Sequence, residues 1–308
     1  MERRERIAGG LYGLLIGDAL GVPYEFSNPK DLPTLDRIEM TPPPDFRRAH
    51  PGVPAGTYSD DGAQALCLLA SLLERGRLDL EDFAGRLLAW LDEGRYAVAG
   101  EVFDVGIQTQ KALARVRGGA PAHQAGGADD RSNGNGSLMR VLPLALWHQG
   151  GDAELVADAH LQSLPTHAHP RSQACCAFYC LWARYLLAGL EHAEARALHT
   201  LRTIYGTTGS FADELREIFP EEGEGVGTGS GYVVDCLHSA LRVMAFPTYE
   251  TVVKQAIALG NDTDTTACVA GGVAGIRDGE GAIPARWMAS LRGRDLVAPL
   301  LERLLAGR

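Results

Sequence analysis

The 308-residue chain is short of strand-like alternation, of aromatic residues (7%) and of basic charge. With so little period-two patterning, a sheet-based fold is not expected. Lys and Arg number 29 against 39 Asp and Glu, a formal charge of -10. No long-range field therefore favours a polyanion, and nucleic-acid binding is not expected. The cysteines (Cys67, Cys175, Cys176, Cys180, Cys236 and Cys268) form no CxxC pair and fall inside apolar, helix-like runs. That excludes a disulfide framework and a structural zinc site, and leaves reduced core residues. Long apolar runs are missing too, broken by charge or glycine, and Met1-Glu2-Arg3-Arg4-Glu5-Arg6 has no secretory-type apolar core. These features lead us to expect a cytoplasmic protein with no membrane partner.

What is present is 45% hydrophobic residues, enough for a large core. They recur at helical spacing, as in Leu66, Leu69, Ala70 and Leu73, then Phe83, Leu87, Leu88 and Leu91, and later Val252, Ala256 and Leu259. Pro- and Gly-rich connectors run from Thr41 to Gly56, Gly118 to Gly136 and Pro220 to Gly231. The pattern predicts an all-α, multi-helix single domain over residues 1–308, with no repeat and no dividing linker.

Gly9, Gly13, Gly17 and Gly21 recur every four residues, on one face of a helix expected from about Ile7 to Leu20. Each interior glycine costs roughly 1 kcal/mol relative to alanine, so the stripe implies a close backbone partner. Ala267, Gly271 and Gly275 have the same spacing. The two helices are expected to pack together, and both segments read as too short and too polar to span a bilayer. An antiparallel pairing would bring Glu25 beside Asp262 and Asp264.

Two acidic clusters each precede an apolar helix: Ser59-Asp60-Asp61 and Asp262-Thr263-Asp264-Thr265. One such residue is explained by helix capping, but a pair at each site is not. Carboxylates with neighbouring hydroxyls suit Mg²⁺, Mn²⁺ or Ca²⁺, and four of them converging without cations would call for a metal counter-charge. Asp262-x-Asp264 also has the form of an aspartyl-nucleophile phosphatase, but such a nucleophile ends a buried strand, and Val252 to Leu259 reads as a helix.

Several motifs occur together: Gly17-Asp18-Ala19-Leu20-Gly21 with Glu25, Ser59-Asp60-Asp61, Phe103-Asp104-Val105-Gly106, Asn135-Gly136-Ser137-Leu138-Met139-Arg140, Thr166-His167, Gly231-Tyr232-Val233 and Asn261-Asp262-Thr263-Asp264-Thr265. Together they resemble the ADP-ribosylglycohydrolase family over about residues 6–290. The resemblance implies an all-helical orthogonal bundle with two divalent ions, Mg²⁺ or Mn²⁺, in a cleft that holds ADP-ribose or an ADP-ribosylated substrate. It implies metal ligation by Ser59, Asp60, Asp61, Asp262, Asp264 and Thr265, and catalytic roles for Glu25, Asp61 and Asp262. Ser59 and Gly62 stand where the family commonly has threonine, and neither change removes a ligand. Asp104, Asn135, Gly136, Ser137, Met139, His167, Gly231 and Tyr232 would contact substrate, with Asn135 to Ser137 offering amides to phosphate and Tyr232 a ring to adenine. An ordinary turn at Asn133 to Gly136, a core role for Tyr232 and helix caps at His167 and His169 are the competing structural readings.

The implied activity is hydrolysis of the glycosidic bond between ADP-ribose and an acceptor. A non-catalytic ADP-ribose-binding or crystallin-like protein is the alternative in another class, and a magnesium-dependent phosphatase the weaker enzymatic one.

Overall fold

The computed structural model describes residues 1–220 and 225–307; positions 221–224 of the expected Pro220 to Gly231 connector, and residue 308, lie outside the described residues. Helical periodicity becomes fourteen α-helices among the described residues. The first seven are α1 (Arg3–Gly21), α2 (Asp60–Arg75), α3 (Leu80–Glu93), α4 (Ile107–Arg117), α5 (Leu142–Trp147), α6 (Asp152–Ser163) and α7 (Pro170–Leu187). They are followed by α8 (Ala193–Tyr205), α9 (Ser210–Ile218), α10 (Val233–Val243), α11 (Tyr249–Ala258), α12 (Thr263–Asp278), α13 (Ala285–Ser290) and α14 (Arg294–Ala306). Among the described residues, strand pairing is limited to two isolated bridges, Gly127 with His167 and Gly134 with Tyr232. One contiguous apolar core extends from Ile7 to Leu304, and all six cysteines are buried and unpaired within the protein.

The α1 and α12 helices lie antiparallel along the two small-residue stripes. A Cβ placed on Gly9 would stand 2.3 Å from the Gly275 carbonyl oxygen; on Gly13, 2.4 Å from that of Gly271; on Gly17, 2.1 Å from that of Ala267. At the last step of the seam, a Cβ on Gly21 would fall 2.4 Å from the Asp264 Cα. No side chain of any size fits between these backbones, so the composition of both stripes is dictated by the approach distance. The Tyr249 hydroxyl, from α11, donates to the Gly13 carbonyl (2.8 Å) and the Thr263 hydroxyl to the Gly21 carbonyl (2.8 Å), pinning the register.

Helix α1 is longer than the expected Ile7 to Leu20. Arg3–Tyr24 is long and apolar enough to cross a membrane by length and composition, which corrects the reading of that segment as too short and too polar. Its apolar surface is instead enclosed by protein: every residue from Ile7 to Gly21 is buried. Gly13→Ala and Gly275→Ala are expected to destabilise the fold by about 1–3 kcal/mol or more, the usual cost of overpacking. Gly85→Ala makes the control, because Gly85 lies in α3 with open space around it and should be neutral or stabilised by up to about 1 kcal/mol. Denaturant melts of the three variants check this, and equal midpoints would remove the packing explanation.

Candidate functional site

The seam delivers α1 to the start of α12, and a second contact delivers it to the start of α2. Asp18, fully buried on α1, accepts from the backbone amides of Ser59 and Gly62 (2.8 Å each). Three segments therefore meet at one point: the end of α1 and the N-termini of α2 and α12. Burial raises the Asp18 carboxyl to about 7, against the lowering effect of those two amides.

Just beyond α1, backbone hydrogen bonds join Phe26 N to the Asn261 carbonyl (2.6 Å) and Asn261 N to the Ser27 carbonyl (2.8 Å), so the loop carrying Glu25 is stitched to the loop carrying Asp262. Phe26 (φ 59°) and Asn261 (φ 61°) both adopt left-handed backbone here, as do His50 and Asp104 nearby. Asparagine tolerates that region, but phenylalanine does so only under constraint, and such residues cluster at functional sites.

The two acidic clusters, some 200 positions apart in sequence, converge. Asp61 Oδ2 accepts from the Ser59 hydroxyl (3.0 Å) and, at 3.4 Å, from the Thr265 hydroxyl. Carboxylate oxygens of Glu25, Asp262 and Asp264 lie within 4.8 Å of one another, and those of Glu25 and Asp104 come equally close to a ring nitrogen of His50. Burial, followed by the Asp104, Asp262, Asp61 and Asp18 charges, pushes the Glu25 carboxyl up to about 10. Burial likewise holds Asp60, Asp61 and Asp264 well above the ordinary carboxylate range. Among the described residues, no lysine or arginine forms an ion pair with any of these groups, and the one ion-pair partner is His50, whose Nε2 sits 2.6 Å from Glu25 Oε2.

Capping accounts for part of the clusters. The Ser59 hydroxyl accepts from the Asp61 amide at the start of α2, whereas Asp262 stands at the N-cap position of α12 without making a side-chain cap. Asp262 Oδ2 accepts instead from the Asn135 side-chain amide (2.8 Å). Two buried oxygens, Asp61 Oδ1 and Asp264 Oδ2, have no hydrogen-bond partner. An orphaned buried carboxylate oxygen costs free energy unless something neutralises it. Hard oxygen donors with two open buried positions and no cation partner fit divalent-metal binding.

These groups face a cavity of about 320 Å³ lined by Glu25, Phe26, Asp60, Asp104, Gly106, Ile107, Gln108, Thr109, Gly134, Asn135, Gly136, Met139, His167, Asp262 and Thr265. Four larger cavities, of about 790 Å³ beside Gly94 to Gly100, about 590 Å³ between Arg202 and Pro220, about 550 Å³ beside Phe219 and His238 and about 430 Å³ beside His160 and Phe211, hold no convergent carboxylates. Chemistry rather than volume identifies the site.

Glu25, Asp60, Asp104, Asn135, Gly136, Met139, His167, Asp262 and Thr265 thus come together at the cavity, with Ser59, Asp61 and Asp264 behind them. Ser137 and Tyr232, expected to contact substrate, do not line this cavity, whereas Gly231 backs onto the acidic cluster, since a Cβ there would stand 3.1 Å from Asp262 Oδ2. Ser137 is fully buried, its hydroxyl accepting from Ser163 (2.8 Å) and within 3.5 Å of the Cys176 thiol, because the short 3₁₀ turn Asn135–Ser137 directs that side chain into the core. The Gly231 carbonyl accepts from the Asn135 backbone amide (3.0 Å), so that amide is not available to phosphate. Tyr232 is 41% exposed, outside the cavity wall, and its hydroxyl accepts from Arg171 (3.0 Å); it is not a core aromatic either. The helix-cap reading holds for His169, whose Nδ1 accepts from the Arg171 amide at the start of α7. His167 lines the cavity as neutral imidazole, its pKa lowered to about 3 by burial and then by the Arg140 charge. Gly136 admits it: a Cβ there would meet the His167 ring at 2.7 Å.

Sequence reasoning missed His50, Phe26, Ile107 and Thr109. Phe26 and Ile107, each 72% exposed, form an apolar lip on the cavity. Only the left-handed backbone of Phe26 marks it, and that is invisible in one sequence.

Comparison with known proteins agrees with this arrangement. The ADP-ribosylglycohydrolase family model matches residues 1–308. The chain is 29% identical to ADP-ribosylarginine hydrolase Tri1 of Serratia proteamaculans (strain 568), covering 98% of this chain and 80% of that one. It is also 29% identical to the ADP-ribosyl-[dinitrogen reductase] glycohydrolase of Rhodospirillum rubrum (93% and 90% covered). Identity to ADP-ribosylhydrolase ARH3 of Homo sapiens is 28% (97% and 93% covered). A solved ADP-ribosylglycohydrolase-related protein complex superposes with a TM-score of 0.73 at 30% identity, with 98% of each chain covered. With the family's pattern matched along its whole length, this chain belongs to the ADP-ribosylglycohydrolase family.

Proposed function

We propose that this protein hydrolyses the bond between the anomeric ribose carbon of ADP-ribose and an acceptor atom, and so removes ADP-ribose from conjugates. The observation that carries the reading is the convergence of acidic residues from three chain segments, with two buried carboxylate oxygens left open. Ser59, Asp60, Asp61, Asp262, Asp264 and Thr265 would hold two divalent ions, Mg²⁺ or Mn²⁺. Such ions, when bound, supply the positive charge that draws in the ribose diol and favours deprotonation of the attacking water.

The chain's own residues supply the rest. In the ion-free protein burial and its acidic neighbours favour the protonated form of Glu25. The charge of bound ions would offset those neighbours, and the carboxylate, fixed by His50 on Oε2, would then take a proton from the attacking water on its other oxygen. Asp262 is oriented by the Asn135 amide, and Asp61 by the Ser59 and Thr265 hydroxyls. Neutral His167 offers a hydrogen bond without adding charge, while Asp104, close to Glu25 and His50, would lie near the scissile bond. Phe26 and Ile107 shield the mouth from water and offer apolar surface to the ligand. No covalent nucleophile is required, since the carboxylates stabilise an oxocarbenium-like transition state electrostatically.

The names of the Tri1 relatives make arginine the first acceptor to test. Purified protein with Mg²⁺ or Mn²⁺ is expected to release ADP-ribose from at least one of a panel of arginine-, serine-, nucleic-acid-end- and metabolite-linked conjugates, and to stop when a chelator is added. Binding of ADP-ribose with no release from any linkage would favour the non-catalytic reading.

A further inference from the structure

Arg140 is the last residue of the Asn135 to Arg140 motif, and the cavity does not use it directly. It is completely buried, and among the described residues no carboxylate pairs with it. Its guanidinium lies 5.1 Å from the Phe83 ring centroid, Nη2 donates to the Gln162 carbonyl (3.0 Å), and Nε reaches Gln162 Oε1 (3.4 Å). The remaining contact runs toward the acidic site: Nη1 donates to Gln64 Oε1 (3.0 Å), and Gln64 Nε2 donates to Asp60 Oδ2 (2.7 Å).

The order of these contacts carries meaning. A side-chain amide has an acceptor on one atom and donors on the other, and in isolation either end could face Asp60. With a permanent cation holding its oxygen, Gln64 must turn its NH₂ toward the carboxylate. Arg140 therefore fixes the polarity of a link whose far end is Asp60, and each hydrogen bond in the link is strengthened by the charge at its end. A buried guanidinium without a counter-ion is expensive, and apolar residues of similar volume commonly do as well or better for stability. Stability alone does not account for it here.

We propose that Arg140 and Gln64 are positioning residues that hold Asp60 in one orientation, and thereby raise the affinity of the site for divalent ions. The inference rests on the reading of Asp60 as a metal ligand. Residues that orient ligands in this way commonly change metal affinity about 10–100-fold when lost.

Mn²⁺ titration of the purified full chain by calorimetry tests the proposal. Gln64→Met and Arg140→Met are each expected to weaken Mn²⁺ binding about 10–100-fold. The double variant is expected to be no weaker than the weaker single, because both changes cut the same link. Gln64→Met alone leaves the buried cation unmatched toward the site. The double variant takes partners from Gln162 Oε1, the Gln162 carbonyl and Asp60 Oδ2, but it removes that cation together with the amide facing it. Its thermal midpoint in chelator should be at or above wild type, which separates loss of positioning from loss of structure. Wild-type affinity in the double variant, with Asp60→Ala binding weakly, would overturn the link and leave the functional reading intact. Additive losses in the double variant would also overturn a single link. Wild-type affinity in Asp60→Ala would overturn both the link and the ligand role of Asp60.

Discussion

Asp61→Asn and Asp264→Asn are expected to abolish measurable Mg²⁺ or Mn²⁺ binding and with it the hydrolase activity, while raising the thermal midpoint of the chelated protein. The two effects have one cause. Each aspartate is fully buried, each has one oxygen with no hydrogen-bond partner, and each is pushed toward its neutral form first by burial and then by its acidic neighbours. Without ions, Asp61 and Asp264 are a liability to the fold, and replacing a carboxylate by a neutral amide of the same shape relieves both the desolvation and the repulsion. With ions, the same carboxylates are the counter-charge. Calorimetry with Mn²⁺ and melts in chelator, run on the same preparations, check the pair of outcomes. A chelated variant that melts below wild type, or one that still binds Mn²⁺ tightly, would show that these aspartates are held for structural reasons.

Glu25→Gln gives the second large effect and separates chemistry from binding. The change keeps the shape of a side chain that is almost fully buried and lies against His50. It removes the basicity. Loss of a positioned general base typically lowers rates by about 10²–10⁴-fold, so kcat on the best conjugate is expected to fall at least 100-fold. Folding, Mn²⁺ affinity and ADP-ribose affinity should stay close to wild type, since six other residues are assigned to the ions. Steady-state kinetics beside ADP-ribose titration separates the terms: a drop confined to KM would make Glu25 a binding residue, and an unchanged kcat would leave water activation to the aspartates and their ions.

How much of this was legible depended on whether a feature is local or assembled. The glycine stripes were readable because a four-residue period projects onto one helix face whatever the rest of the chain does. Their antiparallel pairing then placed Glu25 beside Asp262 and Asp264 before any coordinates. His50 was not readable: it sits in a proline-rich connector, and only closure of that connector over the cavity brings it to Glu25. Asp18 was visible as part of a motif, but its two bonds to the start of α2 join elements about 40 residues apart. Ser137 was misplaced for the opposite reason, because a residue next to a glycine-rich turn in sequence can point away from it in space. Tyr232 shows the same limit: its motif neighbours approach the site through backbone, while its half-exposed side chain meets Arg171 through the hydroxyl.

The glycine seam also sets a schedule for biosynthesis. Helix α1 is made first and α12 some 240 residues later, yet neither can bury its small-residue face without the other. At a typical 5–20 residues per second, the newly made α1 waits on the order of tens of seconds for its partner. Throughout that interval the growing chain carries an uncovered apolar helix of the length that membrane-targeting and chaperone systems sample, and the acidic cluster stays incomplete until Asp264 has left the ribosome. A chain cut short before α12 would therefore be an aggregation risk rather than a weaker enzyme.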